Sequence, residues 1–392
     1  MQRILFGLAA AGLALSATPP ANAQGSIKIG LIMPYSGQFA DAATQMDNAI
    51  KLYVKQKGDT VAGRKIEFIR KDTGGIAPDV AKRLAQELVV RDNVDILAGF
   101  VLTPNALAAG DVSEQAKKFM VVMNAATSII TTKSQYMVRT SLTTPQVNEA
   151  LGQWAATKGK VKKVYTMVSD FGPGLDAEGA FQRGFKEAGG EVIGQVKMPV
   201  ANPDFSAFVQ RAKDLNPESI YIWVPGGAQP PALGKALAER GIDPKKTTVM
   251  GQGEITDDAA LKSMGDVALG IVTAFHYDPN HQSQMNKDFV KAYNAAYGRN
   301  PDFFSIGGWD GMHLIYEVLK KTGGKTDGQA LVDAAKGMKW ESPRGPISID
   351  PQTRDIIQNV YIRRVEKVDG KIVNVEFDKV ENVKDPVKAR MK

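Results

Sequence analysis

Cysteine is absent from this chain of 392 residues. That excludes disulfides, thiolate metal sites, thiol nucleophiles and the lipidated cysteine of an anchored lipoprotein. Histidine is scarce, with three in the chain; His276 and His281 share a loop, but zinc there would need distant carboxylates, so no metal is expected. Beyond the N-terminal region no segment has the roughly 20 apolar residues in a row that a membrane span needs, so the mature chain is expected to be soluble. There is no G-x-S-x-G elbow, H-E-x-x-H helix or P-loop, which leaves no catalytic residue and no cofactor to expect. A catalytic set assembled from distant residues has no positive support. Clustered positive charge is also missing: the net charge of +7 is spread along the chain, a solvated surface rather than a nucleic-acid patch.

The chain opens on an export signal. Arg3 is its charged region, Ile4 to Ala17 an apolar stretch of fourteen residues, and Ala21-Asn22-Ala23 the small-residue pattern that a signal peptidase cuts. Cleavage is expected after Ala23, leaving Gln24 first. The alternative, an N-terminal membrane anchor, fits less well because a Pro pair and small residues follow the run where flanking charges would stand. The expected location is the periplasm. A mature chain with 43% apolar residues can bury a large core, and its length suggests two domains.

From Ile27 short apolar strands alternate with amphipathic helices, the pattern of an α/β fold with parallel sheets. Strands are expected at Ile27 to Met33, from Ile66, at Val94 to Gly99 and at Phe119 to Ala125. Helices lie between them, one beginning near Pro78 and one spanning Pro104 to Lys118. The plan restarts at Val164 to Ser169 and continues through strands at Ile220 to Val224 and Thr247 to Gly251, so two Rossmann-like lobes are implied. Asp204 reads as a helix cap, Phe304 to Lys320 as a helix carrying Trp309, and Asp369-Gly370 as the type I′ turn of a hairpin within Val360 to Val375.

Ligands of parallel α/β lobes sit beyond the carboxyl ends of the strands. Three first-lobe loops there are rich in small polar residues: Tyr35 to Phe39, Phe100 to Asn105, and Asn124 to Ser128. Hydroxyls and free helix N-terminal amides suit a carboxylate, although Ser36, Thr103 and Thr127 taken singly also fit turn and cap roles. The second lobe offers Asp170-Phe171-Gly172-Pro173-Gly174, Pro225-Gly226-Gly227 and Gly251-Gln252-Gly253-Glu254, where glycine lets a ligand approach the backbone. Gly172, Gly174 and Ala177 match the loose dinucleotide pattern G-x-G-x-x-A, but no acidic residue ends the next strand to hold a ribose.

The I-K-I-G-x-x-x-P-x-S-G start, Asp72, the N-A-A-T-S loop, the D-F-G-P-G turn and the closing run Arg344-Gly345-Pro346-Ile347-Ser348-Ile349-Asp350 resemble the branched-chain amino-acid-binding proteins of ABC transporters. The resemblance covers essentially the whole mature chain. It implies a type 1 periplasmic-binding (Venus-flytrap) fold with crossovers near Arg139 to Thr144, Ala274 to Asp278 and Gly345 to Asp350. The implied lobes are residues 24–141 with 276–345 and residues 142–275 with 346–392. It also implies that Thr103, Asn105, Ala126 and Thr127 hold a ligand carboxylate, that Tyr35 and Phe39 wall the pocket, and that Phe171 closes over it together with an acid for an α-ammonium, for which Glu254 is the nearest candidate. Asn124 and Gly226, in the strand-end loops, are further candidates for ligand contact. Phe171 replaces the family's usual Tyr and the acid at Glu254 comes about one position late. The resemblance implies a hydrophobic or branched-chain amino acid as ligand, whereas either departure suits a ligand without an ammonium, so an aromatic or aliphatic carboxylic acid is the other expectation. The implied partners are a permease and an ATPase, with the receptor itself a monomer and not an enzyme. A ligand sensor for a signalling receptor is the alternative, and a periplasmic α/β enzyme a more distant one.

Overall fold

The computed structural model describes residues 25–391. The expected signal, residues 1–23, lies outside them. The first sheet has the order β2-β3-β1-β4-β5-β6, made by β1 (Ile27–Met33), β2 (Thr60–Val61), β3 (Arg64–Asp72), β4 (Ile96–Gly99), β5 (Phe119–Val122) and β6 (Met137–Arg139). All its pairs are parallel except the short β2 with β3. Helices α1 (Ala40–Lys57), α2 (Pro78–Val90) and α3 (Thr103–Ala116) are the crossovers. Parallel strands covered on both faces must be apolar throughout, and β1, β4 and β5 are buried along almost their whole length.

After β6 the chain passes through α4 (Thr144–Thr157) into a second sheet. There β7 (Lys163–Ser169), α5 (Gly172–Glu187), β8 (Glu191–Met198), α6 (Phe205–Asp214), β9 (Ser219–Trp223), α7 (Gln229–Glu239), β10 (Thr248–Gln252), α8 (Asp258–Met264) and β11 (Val272–Phe275) repeat the parallel plan. The chain then returns to the first lobe as α9 (Gln284–Tyr297), α10 (Phe303–Lys321) and α11 (Gly328–Ala335), with α9 and α10 against α1 and α11 against β5 and β6. It ends in β12 (Lys339–Ser342), β13 (Gly345–Ile349), β14 (Ile356–Val368), β15 (Lys371–Val383) and α12 (Pro386–Arg390).

The second sheet is mixed, because β12 to β15 pair antiparallel and β14 joins β11 antiparallel. Two expectations change here. Residues 339–342, counted with the first lobe, are hydrogen-bonded into the second sheet, so the chain reaches that sheet before Gly345. The hairpin is longer than expected, with β14 and β15 each running thirteen residues around Asp369 and Gly370, both at positive φ as a type I′ turn requires. Asp204 caps α6 by accepting from Ser206 N–H. Trp309 lies away from the cleft, packed between Tyr53 of α1 and Phe289 of α9 at ring separations of 4.9 Å each.

Candidate functional site

The first-lobe wall begins where β4 ends. Gly99 and Phe100 both have positive φ, 102° and 64°, a left-handed conformation rare for a bulky residue. Phe100 is held there because its N–H donates to Ile32 O and its carbonyl accepts from Ala125 N–H, each at 2.9 Å. This turn brings Val101, Leu102 and Thr103 to the cleft and starts α3 at Thr103. Asn124 Nδ2 donates to Val101 O at 2.8 Å, and Thr127 Oγ1 donates to Thr103 Oγ1 at 3.1 Å. From behind, buried Arg139 donates to the carbonyls of Ala125 and Thr127 at 3.1 and 2.8 Å. The wall is therefore set by backbone bonds and one guanidinium before any ligand enters.

The second-lobe wall is aromatic. Phe171 stands at the N-cap of α5, and its ring lies 5.6 Å from that of Trp223, the last residue of β9. Phe303 and Phe304, from the first turn of α10, close one side with ring centres 3.9 Å apart. Gly226 brings backbone against them: a Cβ there would lie 2.9 Å from the Phe303 ring, tighter than packing allows. These walls enclose a narrow cavity of about 50 Å³ between the lobes, to which Phe39, Thr103, Ala126, Phe171, Trp223 and Glu254 contribute.

Glu254 lies in the turn after β10. A buried relay fixes it: Tyr221 OH donates to Asn148 Oδ1 at 2.7 Å, Asn148 Nδ2 to Gln252 Oε1 at 2.5 Å, and Gln252 Nε2 to Glu254 Oε1 at 2.7 Å. Burial pushes its pKa up from 4.5 to about 7, against the pull of its hydrogen bonds and of Arg363. Glu254 Oε2 and Trp223 Nε1 are buried without a hydrogen-bond partner. At the other wall α3 begins without a side-chain N-cap, as does α5, whereas seven of the twelve helices among the described residues have one. Free amide groups at an N-terminus favour an anion.

A broader cavity of about 630 Å³ lies on the other side of Phe303 and Phe304. Its charges are largely spoken for. Arg299 pairs with Asp41 at 2.6 Å, Arg363 with Asp278 at 2.8 Å, and Asp257 and Asp302 cap α8 and α10. The broad cavity has one buried unpartnered atom on a lining residue, Asn374 Oδ1, whereas the narrow cavity has both a donor and an acceptor of that kind, Trp223 Nε1 and Glu254 Oε2.

Of the expected site residues, Phe39, Thr103, Asn124, Ala126, Phe171, Gly226 and Glu254 line this cavity, and Thr127 stands behind Thr103. Tyr35 and Asn105 do not line it. The Tyr35 ring lies toward Asp47 and Arg70, and burial holds its hydroxyl well above the usual pKa. Asn105 is consumed in clamping the loop after β3, accepting from Ala77 N–H at 2.9 Å and donating to Gly75 O at 2.8 Å and Thr73 Oγ1 at 3.2 Å. Sequence reasoning missed Trp223, Thr144, Phe303 and Phe304. The first ends a strand, which is where a site residue belongs; Phe303 and Phe304 follow a Pro-Asp helix start but come from a distant element. Gly172 and Gly174 serve close packing: a Cβ on Gly174 would collide with Ser169 O, and one on Gly172 would touch Thr127 Oγ1 at 3.6 Å.

Residues 26–371 match the family described as periplasmic binding protein. A curated relative, Leu/Ile/Val-binding protein homolog 6 of Brucella melitensis, is 43% identical over 364 residues, covering 92% of this chain and 93% of the relative. A solute-binding protein of an ABC transporter from Rhodopseudomonas palustris BisB5, solved with 3,4-dihydroxybenzoic acid, superposes with a TM-score of 0.90 at 55% identity, covering 93% of this chain and 99% of the other. A second, from strain HaA2 with p-hydroxybenzoic acid, gives 0.89 at 40% identity, over 93% and 100% of the two chains.

Proposed function

The chain belongs to the periplasmic binding protein family, and from that premise we propose that it is the solute receptor of an ABC importer, capturing a small aromatic carboxylate between its lobes. The ligand carboxylate would meet Thr103 and the uncapped start of α3, with Asn124, Ala126 and Thr127 shaping that wall. The ring would lie between Phe39, Phe171 and Trp223, under the backbone at Gly226. Closure then presents both lobes to a membrane permease driven by an ATPase. The export signal, with cleavage after Ala23, delivers the receptor to the periplasm, where it acts as a monomer. The lobes of this reading are residues 24–141 with 276–338 and residues 142–275 with 339–392.

The observation that carries the aromatic reading is the narrow cavity itself, walled by rings and ending at an uncapped helix N-terminus. Flat ligands suit such a space, and offset or edge contacts between rings add about 0.5–1.5 kcal/mol each beyond area burial. The identity of the two solved relatives with hydroxybenzoates supports it further. The test is a thermal-shift panel on unfolded and refolded protein, because a co-purified ligand would mask the response. At 100 times its Kd a ligand adds about 2.7 kcal/mol of stability. Benzoate-class acids are expected to raise Tm while leucine, isoleucine and valine do not; a rise with the branched-chain amino acids alone would overturn the aromatic reading.

A further inference from the structure

We infer that Glu254 and Trp223 form a hydroxyl-recognition pair, so that the receptor selects aromatic acids carrying a ring hydroxyl remote from the carboxylate. This rests on the reading of the narrow cavity as the ligand site. Both residues line that cavity, and each has one buried polar atom, Glu254 Oε2 and Trp223 Nε1, without a partner. Burying such an atom unpaired is costly, so a ligand that pairs both binds more tightly than one that pairs neither.

The chemistry of the two atoms defines the matching group. Indole N–H only donates. Glu254 Oε1 already accepts from Gln252, whose amide is oriented in turn by Asn148 and Tyr221. The relay therefore leaves Oε2 as the free end, an acceptor when ionised and a donor when protonated. A hydroxyl accepts from the indole and donates to the carboxylate at once. An ammonium has only donors and would leave the Trp223 N–H facing a cation. An unsubstituted ring leaves both atoms unpaired. The position of Glu254 thus serves a hydroxyl, where an amino-acid receptor would use its acid for an α-ammonium.

The test is isothermal titration of the refolded protein with benzoate, 4-hydroxybenzoate, 4-methoxybenzoate and leucine. In the unmodified protein 4-hydroxybenzoate should bind about tenfold or more tighter than benzoate, with 4-methoxybenzoate losing most of that gain because it cannot donate. In Trp223→Phe the preference for 4-hydroxybenzoate over benzoate should shrink at least severalfold, with benzoate itself less affected. Equal affinity for benzoate and 4-hydroxybenzoate in the unmodified protein overturns the inference and leaves the aromatic-acid reading standing. Binding of leucine alone overturns both. If Trp223→Phe does not fold, the comparison of benzoate, 4-hydroxybenzoate and 4-methoxybenzoate on the unmodified protein still decides.

Discussion

Glu254 shows how one side chain ties stability to ligand choice. Its carboxyl is pushed up to about 7 by burial, and Asp302 is pushed up to about 7 and Asp257 to about 6 by the same cause. Each of these groups binds its proton more tightly folded than unfolded. Between the unfolded value near 4.5 and the folded value near 7, stability must therefore fall as pH rises, and level off above. One such group contributes at most about 1.4 kcal/mol per pH unit within that window. Urea midpoints of the ligand-free protein are expected to drop between pH 5 and pH 7, and to drop less in Glu254→Gln; the same slope in both would show that Glu254 does not titrate there.

Helix ends and strand ends do the positioning at the next scale. Helix α5 can approach β7 only because Gly174 has no side chain, and that approach carries Phe171 into the cavity wall. Gly174→Ala would place a methyl against Ser169 O, and overpacking of this kind costs about 1–3 kcal/mol. The expected outcome is a lower Tm together with weaker binding of aromatic acids, read by calorimetry and titration; an unchanged affinity would mean that α5 does not set the wall. Three buried arginines tie the chain where it passes between lobes. Arg139 pairs with Asp355 at 2.7 Å, Arg344 with Asp310 at 2.9 Å and Arg363 with Asp278 at 2.8 Å. Pairs like these add little net stability, but removing one partner strands a charge. Their role here is geometric: Arg139 reaches the loop that holds Asn124 and Thr127, and Arg363 reaches Gly253 O beside Glu254.

At the scale of the whole molecule both lobes contribute walls to the cavity and are joined by a hydrogen bond between a turn of the first and α5 of the second, Ser128 N–H donating to Asp176 Oδ2 at 3.0 Å. A ligand that contacts both walls binds the closed arrangement better than an open one, and only that difference moves the equilibrium. Small-angle scattering should show a smaller radius of gyration with saturating 4-hydroxybenzoate than without ligand. A bound protein with an unchanged radius would sink the closure mechanism.

The class of fold was legible in the residues alone, because strand and helix periods are local and each apolar run had only one face or two to bury. The strand-end rule pointed to loops after the strands, and the family resemblance narrowed the candidates there; of these, Phe39, Thr103, Asn124, Ala126, Phe171, Gly226 and Glu254 line the narrow cavity. Tertiary structure alone decided the rest. Asn105 and Tyr35 stand in the right loops but face elsewhere, because a neighbouring loop and the Asp47–Arg70 pair claim them. Phe303 and Phe304 reach the cavity only because α10, far along the chain, returns to pack on the first lobe. The second sheet takes in residues 339–342 for the same reason: strand partners are chosen by long-range hydrogen bonding, which no local pattern records.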